Sequence, residues 1–186
     1  MRDEEFIRGN VPMTKEEVRA VSISKLELKE TSVLYDVGAG TGSVSIEAAF
    51  AVKRGCVFAI ERKEEAVKLL YANREKFFRY NVTVVEGRAP EALENLPAPT
   101  HVFLGGTSGS MDDIIEAVLK KNPHVRVVMN VIALESLSQA VNSLKKRGIE
   151  GEILSMQVAK AKKAGSYHLM EGQNPVYIIS FGGKTV

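Results

Sequence analysis

Tyr35-Asp36-Val37-Gly38-Ala39-Gly40-Thr41-Gly42 joins an apolar run, Val33 to Asp36, to a helical pattern that opens near Ser43. Glycines let the backbone bend sharply and let a ligand approach the amides, because no Cβ stands in the way. Between a strand and a helix, such a loop is expected to hold a ligand. The dinucleotide fingerprint is Gly-x-Gly-x-x-Gly. Its third position here is Ser43, and Gly42 comes one residue early.

Outward from this loop, strands and helices alternate. Cys56 to Glu61, Val82 to Val85, His101 to Leu104 and Val125 to Ile132 read as further strands. Helices are expected from about Ser43 to Lys53, ended by Gly55, and on the stripe Ala66, Leu69, Leu70, Asn73, Phe77, closing near Asn81. Ser110-Met-Asp-Asp113 resembles a capping box ahead of Ile114, Ile115, Val118 and Leu119; Leu134, Leu137, Val141 and Leu144 stripe the last helix before Gly148. Upstream, Thr14-Lys-Glu-Glu17 reads as a capping box, with Met13 and Val18 as its hydrophobic staple and a helix to about Leu26. Residues 1–13 read as an arm. Strands alternating with helices give a parallel sheet covered on both faces. Glu152 to Ala159 and Val176 to Phe181 have no helix between them, so the last strand should run antiparallel. The expectation is one α/β domain over residues 1–186: a Rossmann-like, doubly wound, mostly parallel sheet closed by an antiparallel C-terminal strand, the class I S-adenosylmethionine-dependent methyltransferase fold.

Two acids fit that cofactor. Asp36 ahead of the glycines would repel a pyrophosphate but attract the methionyl ammonium of S-adenosyl-L-methionine. Glu61 lies about 20 residues beyond the loop, the spacing of a ribose-hydroxyl acceptor. Glu86-Gly-Arg-Ala-Pro90 ends the third strand, and the Ala89 backbone is the expected adenine contact. Arg88 stands where methyltransferases of this fold often carry an acid. The expected cofactor cradle is therefore Asp36, Gly38, Ala39, Gly40, Thr41, Gly42, Glu61 and Ala89.

Composition narrows the partners. The 186 residues carry a formal net charge of +2, too small to argue for nucleic acid or a membrane surface. Cys56 is the only cysteine, which excludes an internal disulfide and a multi-thiolate zinc site. His101, His124 and His168 lack a ligand spacing, so no metal site is expected. The charged start and the absence of a long apolar run point to a cytoplasmic protein.

Asn10-Val-Pro-Met-Thr-Lys-Glu-Glu-Val-Arg-Ala-Val-Ser22 and Asp36-Val-Gly-Ala-Gly-Thr-Gly-Ser-Val-Ser-Ile-Glu-Ala48 resemble the decarboxylating cobalt-precorrin-6B carbon-15 methyltransferases of anaerobic cobalamin (vitamin B12) biosynthesis. Phe103-Leu-Gly-Gly106, Gly109 and Gln173-Asn-Pro-Val176 agree with that family, and the likeness runs from about Glu4 to Phe181. The resemblance implies methylation of a tetrapyrrole substrate at carbon 15, with loss of carbon dioxide from the carbon-12 acetate. It adds Thr14 to the cofactor site and implies a homotetramer.

Such a substrate carries several carboxylates and calls for donors and positive charge. Candidates are Gly105, Gly106, Thr107, Ser108 and Gly109 after the fourth strand, the basic run Lys160, Lys162 and Lys163, and His168. A solvated loop is the competing reading of that run. No residue is singled out as a catalytic acid or base. Three other functions compete. A transfer-RNA or protein methyltransferase lacks support, because Leu104-Gly-Gly106 is no Asn/Asp-Pro-Pro aromatic motif. A non-catalytic cofactor-binding scaffold keeps the same loop, and an NAD dehydrogenase is disfavoured by the displaced third glycine.

Overall fold

Strand alternation sorts the apolar residues to two faces of one sheet. The computed structural model describes residues 1–107 and 109–183. Val33–Val37 (β1), Cys56–Glu61 (β2), Val82–Glu86 (β3), His101–Leu104 (β4) and Arg126–Val131 (β5) run parallel. Glu152–Met156 (β6) forms the far edge, and Val176–Phe181 (β9) lies between β5 and β6, antiparallel to both. The order is β3-β2-β1-β4-β5-β9-β6. On β1, Leu34 packs on one face while Tyr35 and Val37 pack on the other. Helices Glu16–Leu26 (α1), Ser43–Ala49 (α2) and Glu64–Lys76 (α3) cover the Leu34 face. Met111–Lys121 (α4) and Leu134–Lys146 (α5) cover the Tyr35 face. This is the expected mostly parallel, doubly wound sheet with an antiparallel last strand.

Several local expectations fail for physical reasons. Neither capping box forms. α1 starts after Lys15, which makes no side-chain cap, and the Thr14 carbonyl accepts from Arg19 Nη1 at 2.6 Å instead. Ser110 does cap α4 in position, but its hydroxyl accepts from Arg88 Nη2 at 2.9 Å rather than from the helix amides. α2 ends at Ala49, short of Lys53, and Gly55 serves a close approach: a Cβ there would lie 2.0 Å from the Ser32 carbonyl. α3 ends at Lys76, and Phe78 turns the chain at φ 51 well before Asn81. Leu134 is 68% exposed, so the buried stripe of α5 rests on Ala140 and Leu144. The region expected as a long strand and loop is split: after β6, Ala159–Ala164 (β7) and Tyr167–Gly172 (β8) form a separate antiparallel hairpin with every residue exposed.

The N-terminal arm is docked rather than loose. Phe6 and Val11 are buried, and Arg19, fully buried on α1, ties the arm down. Arg19 Nε donates to Glu47 at 2.7 Å, Nη1 to Asp3 at 3.0 Å, and Nη2 to the Met1 carbonyl at 2.7 Å. Asn73 on α3 receives the Ile7 amide at 2.7 Å and donates to the carbonyls of Ile7 and Thr41. One amide side chain thereby clamps the arm to the glycine loop. Removing a buried cation leaves all of its acceptors without their donor. Arg19→Met should therefore destabilise the fold by about 3–5 kcal/mol, measured as the fall in unfolding free energy in urea.

Candidate active site

The strand order reverses at β1, with β2 on one side and β4 on the other. Ligands of open α/β sheets bind at the carboxyl ends of the strands beside such a point. A cavity of about 510 Å³ opens there. Its floor is two glycine turns in contact. Gly38 holds φ +75, and a Cβ on it would lie 2.6 Å from the carbonyl oxygen of Gly106 and 2.8 Å from its nitrogen. No side chain fits between the turns. The Gly38 and Ala39 amides donate to the Ile60 carbonyl at 3.0 and 3.1 Å, and Gly105 donates to Val37 at 3.0 Å, so both turns are pinned to strand ends.

Asp36 lies on the cavity wall yet is only 1% exposed. One carboxyl oxygen accepts from the Ser45 hydroxyl at 2.5 Å; the other is buried with no partner. Burial pushes this carboxyl up to about 7, and the Ser45 hydrogen bonds offset that only in part. An unsatisfied buried acceptor on a cavity wall is a receiver for a cationic donor. Glu61 ends β2. Its Oε2 accepts from the Gly40 amide at 2.9 Å, while Oε1 accepts from the Arg62 and Lys63 amides at 2.8 and 2.9 Å. Its orientation is fixed, and of the roughly four acceptor positions of a carboxylate at least one stays open.

Thr14, Gly38, Ala39, Gly40 and Ala89 join these two acids around the cavity. Thr41 and Gly42 do not. Thr41 is fully buried behind the loop, with its carbonyl held by Asn73; Gly42 turns at φ +80 against Leu70, where a Cβ would lie 2.1 Å from Cδ1. Both shape the turn rather than line the cavity. Of the expected substrate loop, Gly105, Gly106 and Thr107 line the wall, Gly109 does not, and Ser108 lies outside the described residues.

The basic run is also off the wall. Lys160 pairs with Glu16 at 3.0 Å and Glu17 at 2.6 Å, which hold its ammonium above the usual lysine range. Lys162 pairs with Glu171 at 3.3 Å, and Lys163 and His168 face each other across the exposed hairpin. Positive charge reaches the cavity from elsewhere, through Lys15, Arg62, Lys63 and Arg88. Arg62 and Lys63 directly follow Glu61, so the strand-end spacing that singles out the acid points to them as well. Neutral donors come from Asn130, Gln173 and Asn174. Asn130 is legible as the one amide in the apolar run Val127-Val-Met-Asn-Val131.

Comparison with known proteins bears on this geometry. Residues 5–181 match the family described as the precorrin methyltransferase domain. A relative in Salmonella typhimurium, named cobalt-precorrin-6B C(15)-methyltransferase (decarboxylating), is 42% identical over 183 residues, covering 97% of this chain and 94% of its own. The chain belongs to the precorrin methyltransferase family. The family's fold extends through the whole sheet. The solved precorrin-6y C5,15-methyltransferase of Geobacter metallireducens superposes with a TM-score of 0.93 at 41% identity, covering 98% of this chain and 97% of its own. A precorrin 8W decarboxylase of Methanobacterium thermoautotrophicum gives 0.92 at 33%, covering 98% and 99%.

The Asp36 environment has a measurable consequence. Between its ordinary value of 3.8 and about 7, the folded chain keeps a proton that the unfolded chain releases. Folding stability from this group therefore falls as pH rises through that window. Asp36→Asn should melt higher than the parent, with the gap widening from pH 5 to pH 8; a constant gap in calorimetric melting would reject the buried acid.

Proposed function

We propose that this chain methylates cobalt-precorrin-6B at carbon 15 with S-adenosyl-L-methionine and removes carbon dioxide from the carbon-12 acetate, as a step of cobalamin biosynthesis. The observation that carries the cofactor half is the unpartnered, buried oxygen of Asp36 beside a glycine floor on which Gly38 has no room for a Cβ. Family membership carries the substrate half.

The residues present suit the cofactor. The open oxygen of Asp36 is matched to an ammonium, which also favours the ionised carboxyl. Glu61, already braced by three backbone amides, is matched to ribose hydroxyls. Ala89 offers its backbone to the adenine, and Thr14 closes the arm side. When bound, S-adenosylmethionine supplies an electrophilic sulfonium methyl.

The rest of the chemistry asks mainly for positioning. An electron-rich ring carbon of a reduced tetrapyrrole is its own nucleophile, so holding it in line contributes most of the rate. Lys15, Arg62, Lys63 and Arg88 give the cavity the cations a polycarboxylate needs. Arg88, bonded to Ser110, spans from the loop after β3 to the start of α4 and so joins the adenine side to the substrate loop.

Calorimetry should give binding of S-adenosylmethionine and none of NAD. Incubation with cobalt-precorrin-6B should then give a product lighter by about 30 mass units, because a methyl is gained while carbon dioxide is lost. Unchanged substrate over a folded, cofactor-loaded enzyme would sink the assignment.

We also propose a cytoplasmic homotetramer. No helix among the described residues is long and apolar enough to cross a membrane. The β7–β8 hairpin exposes Tyr167, Leu169 and Met170 at 74%, 61% and 67%, an apolar load that burial against a second copy would relieve. Sedimentation equilibrium is expected at four chain masses. Replacing Tyr167, Leu169 and Met170 together by serine should shift it to smaller species.

A further inference from the structure

Asn130 interrupts a buried strand. Val127, Val128, Met129 and Val131 around it are buried, as is its β9 neighbour Ile178. A polar group in such a place needs a partner. Asn130 finds one on α1, where its Nδ2 donates to Ser22 Oγ at 2.9 Å.

Ser22 is fully buried, and its hydroxyl also lies 2.8 Å from the Val18 carbonyl. A hydroxyl has one proton to give. With that proton spent on Val18, Ser22 can only accept from Asn130, so the amide nitrogen is the donor between them. The carbonyl oxygen of Asn130 also lies toward that hydroxyl, at 3.1 Å, so it is the second N–H that is left for the cavity that Asn130 lines.

The side chains that α1, β5 and β9 themselves bring to the cavity wall are neutral. Val18, Ile132 and Val176 supply apolar wall, and Gln173 and Asn174 supply amides. Arg62, Lys63 and Arg88 follow β2 and β3, and β2 is separated from β5 by β1 and β4. Lys15 pairs with Asp3 at 4.0 Å.

That division of charge suits one chemical step. A carboxylate gripped by a cation is stabilised before its carbon–carbon bond breaks, whereas catalysis requires the stronger interaction in the transition state. A neutral amide orients the carboxylate without neutralising it.

We propose that Asn130, oriented by Ser22, binds the departing acetate carboxylate as a neutral donor. The inference rests on the decarboxylating function proposed above. In this step the bond between the methylene and carboxyl carbons breaks, and its electron pair enters the conjugated macrocycle. Carbon dioxide leaves, and the methylene carbon takes one proton from water to become a methyl group.

The test uses the full chain with S-adenosylmethionine and cobalt-precorrin-6B, following methyl gain and carbon dioxide loss separately by mass spectrometry. Asn130→Ala should slow carbon dioxide loss on the order of 100-fold, the scale of a misplaced reacting group. Asn130→Asp is nearly isosteric and sets like charge against the carboxylate, so it should be slower still. Cofactor affinity and melting temperature should stay near those of the parent in both. Ser22→Ala should lose less, and the double variant Ser22→Ala/Asn130→Ala should be no slower than Asn130→Ala, because Ser22 acts through Asn130. Loss of carbon dioxide within about twofold of the parent in Asn130→Asp, or multiplying effects in the double variant, would overturn the proposal. If the parent itself leaves cobalt-precorrin-6B untouched, the proposed function fails and this inference with it. Parent turnover with unaffected variants removes the Asn130 role alone.

Discussion

Two glycine turns meet above the sheet, and the architecture of the site follows from their contact. The backbone at Gly38 and the backbone at Gly106 approach so closely that a Cβ on Gly38 would overlap the Gly106 backbone. That approach sets the spacing between the carboxyl ends of β1 and β4 and leaves a floor made only of main chain. Charged and amide side chains reach the cavity around that floor. Asp36 does so from below, Glu61 from one flank and Asn130 from the other.

The edges depend on a second constraint, the burial of Arg19. A guanidinium with no solvent exposure must satisfy its donors internally, and those of Arg19 go to Glu47, Asp3 and two backbone carbonyls. This collection of acceptors draws the arm against α1 and α2. Val11 to Thr14 then become wall, with Asn73 holding the arm and the glycine loop to each other. Charge burial deep in the fold thus decides where a cavity side lies.

Much of this was legible in the chain. The strands announced themselves as short apolar runs, the loop as three glycines after one of them, and Glu61 by its distance from that loop. What escaped depended on residues far apart in sequence. Thr14 and Glu17 carry the pattern of a capping box, but Arg19 takes the Thr14 carbonyl and Lys160, distant in the chain, takes Glu17. The β7–β8 hairpin has no buried face, so Ala159-Lys-Ala-Lys-Lys-Ala164 shows only a brief Ala/Lys alternation and no β-branched residue to betray it. Its lysines looked like free charge for an anionic ligand because their acidic partners on α1 and β8 could not be inferred from spacing. Thr41 and Gly42 belong to the motif by position, yet they face the protein interior.

The cavity is stitched from both extremes of the chain. Val11 to Thr14 precede every strand, while Gln173, Asn174 and Val176 belong to the approach and start of the final one. A nascent polypeptide emerging from the ribosome therefore carries the glycine turn and both acids long before it can enclose anything. Enclosure waits for β9 to slide between β5 and β6. Ligand retention in this architecture therefore depends on the last strand being in place.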